Sequence, residues 1–242
     1  VSHPKRFFVN LSIEIDKNYK FNKENLDHLK KVLRLKTDQE LTVVSKINSK
    51  AYLVKLTSDN GDFLVISKIE NEIKLSKLTT IIQPLLNKAS KNELIIEKLT
   101  ELGISNILFF KSDRNQIKIN FDVNKRIVRF NKIAENASKQ CKRNTIPQIK
   151  IFDSLKSLFE EQIENFTNLQ KIQAKINQDL PKLSSIIREK ESYLLLCGSE
   201  GGVSETEQNI INKHSFTQFK LGDLILRAET ASISAASVIT FI

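Results

Sequence analysis

From "KLTTIIQPLL" at residues 77–86 onward, short apolar runs alternate with longer segments of helical period, and that alternation leaves few folds open. "NILFF" and "YLLLC" are further strand-like runs, and the segments between them place apolar residues three or four positions apart. Strands that are each followed by a helix pair in parallel, because a parallel partner needs a long crossover. The expected fold class is therefore α/β, built on a largely parallel sheet. Within it, Ser90 and Glu93 have capping-box spacing, Leu94, Ile95, Leu99 and Leu102 form an apolar face, and Gly103 ends that helix.

Residues 1–72 read differently. "KRFFVN", "ELTVVS", "AYLVKLTS" and "FLVISKIE" are β-rich, the turn "SDNGD" joins the last two, and one helix carries Leu26, Leu29, Val32 and Leu33. This is the pattern of a small β-barrel. A length of 242 residues suits two modest domains, so the expected boundary separates 1–72 from 73–242. Residues 151–192 carry a helix around "SLKSLFEEQIENF", a strand "NLQKIQA" and a helix after Pro181, with no chemical signal.

The formal net charge of +10 is uneven: residues 111–150 hold eleven Lys or Arg against Asp113, Asp122 and Glu135. In the helix expected over 123–142, Ile127, Phe130, Ile133, Ala134, Ala137 and Cys141 share one face, and Arg126, Arg129 and Lys132 lie largely outside it. Such a face attracts a polyanion through counterion release, although a solvated helix surface has the same pattern. Cys141 and Cys197 lack metal or redox spacing and read as buried thiols of a reducing compartment. No run approaches a membrane span, and a cytoplasmic protein is expected.

The stretch "CGSEGGVSETEQ" at 197–208 surrounds Glu200 with Gly198, Gly201 and Gly202, after a buried strand and before a helix capped by Ser204 with Glu207. Ligands bind at such strand ends, where glycine admits close backbone approach. No lysine follows the glycines, and their spacing fails the dinucleotide fingerprint, so neither a nucleoside triphosphate nor a dinucleotide is expected. A second loop, "LGDLILRAETASISAA", embeds Arg227 and Glu229 among apolar and small residues, either as a structural pair or as groups with chemical work.

These stretches resemble the paired signatures GPEGG and LG-x-x-I-L-R-x-E-T-A of the ribosomal-RNA small-subunit methyltransferase E family, which methylates uracil N3 in 16S rRNA. "KASKNELIIEKLTELGI", "SDRNQ", "NASKQCKRNTIPQI" and "HLKKVLRLKTDQEL" are similar to four further segments of that family, in the same order. The resemblance implies a PUA-like RNA-binding barrel followed by a SPOUT domain with a C-terminal trefoil knot, working as a homodimer with S-adenosyl-L-methionine on ribosomal RNA of the small subunit. It implies no metal.

The same resemblance places Leu196, Gly198, Glu200, Gly201, Gly202, Leu221, Gly222, Leu226, Thr230 and Ala231 at the cofactor. It makes Arg114, Arg227 and Glu229 catalytic candidates, Arg114 reaching the partner subunit's site and Glu200 or Glu229 serving as base. Arg34, Gln140 and Arg143 join Arg126, Arg129 and Lys132 as RNA-contacting positions. Two departures stand out: Ser199 replaces the family's proline and Asp113 its glutamate. The alternatives are a SPOUT enzyme for another RNA nucleotide and a non-catalytic RNA-binding assembly factor.

Overall fold

The computed structural model describes residues 5–70, 78–114, 122–189, 191–199 and 201–242. Contacts divide the chain into two compact units, one of Val1–Lys74 with Ser138–Thr145, the other of Leu75–Ala137 with Ile146–Ile242. The expected boundary at residues 72 and 73 lies outside the described residues.

The first unit runs β1 (Arg6–Val9), β2 (Asn18–Lys20), α1 (Lys23–Asp27) with a π-helical continuation over His28–Leu33, β3 (Glu40–Ser45), β4 (Ala51–Leu56) and β5 (Asp62–Lys68). Its curled five-stranded sheet has the order β1-β3-β4-β5-β2, parallel at β1–β3 and antiparallel elsewhere. Gly61, at φ 83°, turns the β4–β5 hairpin that "SDNGD" predicts. Phe7, Phe21, Leu41, Val54 and Phe63 fill one core, with Leu29 of the helix packed into it.

The second unit continues with β6 (Thr79–Pro84), α2 (Ala89–Glu101), β7 (Asn106–Phe110), α3 (Val123–Gln140), β8 (Gln148–Phe152), α4 (Leu155–Gln162), β9 (Gln170–Ala174), α5 (Leu183–Ile186), β10 (Tyr193–Leu196), α6 (Glu205–Lys213), β11 (Thr217–Phe219) and α7 (Ala228–Phe241). The end of α3 and its following turn cluster with the first unit. All six strands are parallel, in the order β11-β9-β10-β6-β7-β8. Side chains alternate across the sheet: Ile81, Ile107, Phe109 and Leu195 pack in one core with α2 and α7, while Ile82, Leu108, Phe110, Leu194 and Leu196 pack in the other with α4 and α6. A parallel sheet buried on both faces explains why its strands read as continuous apolar runs.

One expected cap is absent. Helix α2 begins at Ala89, and its N-cap Lys88 makes no side-chain cap bond. Ser90 therefore lies inside the first turn, where it cannot cap. Asn92 does comparable work: its side chain accepts from Leu86 N at 2.9 Å and donates to Leu86 O at 2.7 Å, closing the β6–α2 turn. Among the described residues no helix is long and apolar enough to cross a membrane.

Candidate functional site

Helix α6 starts with the expected capping box: Ser204 Oγ accepts from Glu207 N at 3.0 Å, and Glu207 Oε2 accepts from Ser204 N at 2.9 Å. Glu207 is only 3 % exposed and does more than cap. Its Oε1 accepts from Asp113 N at 3.0 Å, and Asp113 Oδ2 accepts from Ser204 Oγ at 2.7 Å. The loop after β7 is thereby tied to the loop after β10. Asp113, shorter than the family's glutamate, still reaches Ser204 and anchors the residue beside it, Arg114. Glu207→Ala is expected to destabilise the fold by about 3 kcal/mol, since it strips buried donors of a charged acceptor. A fall of the urea midpoint at unchanged m-value would show this; a midpoint equal to that of the parent would refute it.

Arg114 Nη1 donates to Gly201 O of its own chain at 2.7 Å. Within the chain, the arginine is seated on the glycine turn beside it. Gly202 has φ 75°, a left-handed backbone that strains residues bearing a Cβ. Its N–H donates to Ser199 O at 2.9 Å, and Ser199 Oγ donates to its carbonyl at 2.7 Å. Ser199 thus supplies a turn-closing bond that proline has no donor to make, so the substitution does more than loosen the unfolded chain.

A cavity of about 1230 Å³ opens at this point, lined by the segments that follow five of the six parallel strands. Gly198 and Gly202 come from beyond β10, Leu221, Gly222, Leu226 and Ala231 from beyond β11, and Ala174–Gln178 from the last residue of β9 onward. Lys88 and Lys91 enter from beyond β6 and Arg114 from beyond β7. Carboxyl ends of parallel strands converge there because the crossovers leave their loops on one side of the sheet. A Cβ added at Gly222 would meet nothing within 4 Å, so that wall stays open to a ligand.

Not every expected residue lines the cavity. Leu196 is fully buried in the core beneath, Thr230 is exposed on α7 outside the lining, and Gly201 acts through its carbonyl on Arg114. Glu200 lies outside the described residues. Arg227 is exposed, lines the cavity and is the N-cap of α7. Glu229 does not pair with it; Glu229 Oε1 lies 3.4 Å from Lys91 Nζ. Sequence reasoning missed Lys88, Lys91 and the 174–178 segment, although a strand followed by polar residues at "QAKINQ" was a usable signal. Cys197, at the foot of the glycine loop, is an inert thiol pushed up to about 11 by burial.

The basic residues separate. Lys132 and Gln140 are exposed on α3, and Arg34 is exposed at φ 50° after the π-helical turn. Arg129 Nη2 donates to Glu93 Oε2 at 2.9 Å, which holds Glu93 below the usual carboxylate range. Arg126 is half-buried, and burial lowers its guanidinium from the ordinary value. Arg143 corrects the sequence reading: at 3 % exposure it is no surface contact, burial lowers it also, and it donates to Thr145 Oγ1 at 3.1 Å. A guanidinium placed there holds its own turn.

Residues 72–240 match the family model of an RNA methyltransferase domain, and residues 21–69 match that of an RNA methyltransferase PUA domain. The chain is similar to ribosomal RNA small subunit methyltransferase E of Buchnera aphidicola subsp. Acyrthosiphon pisum, at 30 % identity over 97 % of this chain and 92 % of the relative. It is similar to the protein of the same name from Bacillus subtilis, at 28 % identity over 98 % and 96 % of the two chains. The fold is similar to a ribosomal RNA small subunit methyltransferase E from Neisseria gonorrhoeae solved bound to S-adenosyl methionine, with TM-score 0.85, 23 % identity and coverage of 97 % and 95 %. With a glycine-walled cavity at the strand ends and a domain match over most of its length, the chain belongs to the ribosomal RNA small subunit methyltransferase E family.

Proposed function

We propose that this protein transfers a methyl group from S-adenosyl-L-methionine to N3 of a uridine in 16S rRNA of the small ribosomal subunit. The observation that carries the reading is the cavity itself: Gly198, Gly202, Leu221, Gly222, Leu226 and Ala231, all expected at the donor, line one space together with Arg114. The open wall at Gly222 and the apolar side chains of Leu221 and Leu226 fit an adenosine-bearing ligand. When bound, the donor supplies an electrophilic methyl group and leaves as a neutral thioether.

The chain's own residues do the rest. Uracil N3 carries a proton at neutral pH, so the acceptor becomes reactive as it turns into an anion. Arg114, fixed by Gly201 O and by the Asp113–Ser204–Glu207 network, holds a permanent positive charge beside the glycine turn and favours that anion. Arg227, exposed at the cavity wall, orients the substrate or the donor. Incubation with labelled donor and small subunits lacking the modification should place the label on uridine N3; label on another nucleotide, or none, would refute the assignment.

The first unit and α3 serve RNA binding in this reading. Arg34, Lys132 and Gln140 are exposed, and Arg129 is exposed although paired with Glu93. Replacing Arg126, Arg129 and Lys132 by Ala should lower the slope of log K against log salt by roughly one unit for each phosphate no longer neutralised. Cofactor binding should survive. An unchanged slope would make this face a solvated one.

The protein acts in the cytoplasm as a homodimer, and Leu224 and Ile225, 82 % and 77 % exposed, offer apolar surface for a second copy to cover. The chain beyond β10 forms a trefoil knot, the topology that the resemblance to the methyltransferase family implies for the matched domain.

A further inference from the structure

The cavity holds a cation that no sequence signal singled out. Lys91 of α2 lines the wall, and its ammonium lies 3.4 Å from Glu229 Oε1, with side chains only 17 % and 11 % exposed. Glu229 Oε2 is buried and has no hydrogen-bond partner among the described residues. A pair so far from water contributes little net stability, because desolvation offsets attraction. Its use is better sought in where it holds the ammonium.

We propose that Lys91 is a second charge-stabilising group for the methyl acceptor, placed by Glu229, which acts through it as a positioning residue. The inference rests on the uridine-N3 reading above. Position supports it: the walls expected at the donor follow β10 and β11, whereas Lys91 and Arg114 enter from beyond the neighbouring strands β6 and β7. Sign supports it too. A sulfonium donor repels an ammonium, so the cation is favourable beside the group that becomes negative. Space permits it, since about 1230 Å³ exceeds what one small ligand occupies and leaves room for a base. The other charged groups on the same cavity are Lys88, Arg114, Lys175, Glu205, Asp223 and Arg227. In the reaction the N3 proton passes to water, the nitrogen pair forms the bond to the methyl carbon, and the broken carbon–sulfur pair stays on sulfur. Lys91 holds no proton in transit; its charge lowers the cost of the uracil anion.

The test uses the full-length Lys91→Met/Glu229→Gln double variant, which leaves no unpaired buried carboxylate, and Lys91→Arg. Each is assayed by single turnover on small-subunit RNA made with uridine or with 5-fluorouridine, whose fluorine makes N3 more acidic. On uridine RNA the double variant should lose about tenfold or more relative to wild type, as for loss of a preorganised donor with a second one still present. On 5-fluorouridine RNA the deficit should shrink to within about threefold, because a more acidic base needs less help. Lys91→Arg should retain most activity, and donor and RNA dissociation constants should stay within about twofold, since the interaction grows only in the transition state. Equal deficits on both RNAs would overturn the proposal in favour of a structural pair. Donor affinity falling in step with rate would overturn it in favour of a contact with the donor's carboxylate. A wild-type enzyme that leaves N3 of both RNAs unmethylated would refute the uridine-N3 reading itself, and this inference with it.

Discussion

Gly222→Phe is expected to abolish detectable S-adenosyl-L-methionine binding while leaving the unliganded protein folded. Gly222 lines the cavity, and a Cβ built on it meets nothing within 4 Å, so an aromatic ring has a place to go and no packed core to disturb. The ring would occupy the space beside Leu221 and Leu226 that the ligand needs. Wild-type protein at a hundredfold excess of donor over Kd should gain about 2.7 kcal/mol of apparent stability, and the variant none. Thermal unfolding with and without donor reads this directly. An undiminished ligand-induced shift in the variant would remove the cavity from the donor site. Gly202→Val is a poorer probe, because its φ of 75° makes any side chain there a folding problem as well.

Arg114→Ala should reduce single-turnover methylation by about a hundredfold or more, the scale for loss of one preorganised electrostatic donor. Its guanidinium donates to the carbonyl of Gly201 at 2.7 Å, and the backbone of the preceding Asp113 is anchored by Glu207. A group already fixed in the free protein needs no reorganisation as charge develops, which is why the loss should appear in rate rather than affinity. Arg114→Lys should recover only part, because an ammonium keeps the charge but not the fork that binds a carbonyl and a substrate oxygen together. Donor affinity should change little. Wild-type rates in Arg114→Ala, or an equal loss of donor affinity, would sink the catalytic role. The hydrogen bond to Gly201 O seats the arginine on the glycine turn of its own chain.

The two experiments separate the functions of one cavity. Gly222 lies beyond β11 and Arg114 beyond β7, so a defect confined to donor binding and a defect confined to chemistry map onto different strand ends. Glu207 stands between them as a structural element: its carboxylate caps α6 and ties down the β7 loop. Its loss should lower stability first and activity only through Arg114.

The sequence by itself determined the elements, and with them the side of the sheet on which ligands would bind. Apolar runs such as "YLLLC" form strands buried on both faces, and Ser204 with Glu207 caps α6, because periodicity and local hydrogen bonding act over a few residues. The same locality explains the miss at Ser90, whose spacing fits a capping box while the chain enters α2 two residues earlier and Asn92 closes the turn. It also explains Arg143, which reads as one more exposed cation of a basic stretch and is buried at the turn after α3. Only the tertiary structure decided which loops meet. Lys91 and Glu229 are 138 positions apart, Asp113 and Ser204 91, and nothing in either neighbourhood announces the pairing. Packing of α2 against α7 made the first pair, and the loops that follow β7 and β10, on either side of β6, made the second, since a parallel sheet brings the carboxyl ends of its strands to one side.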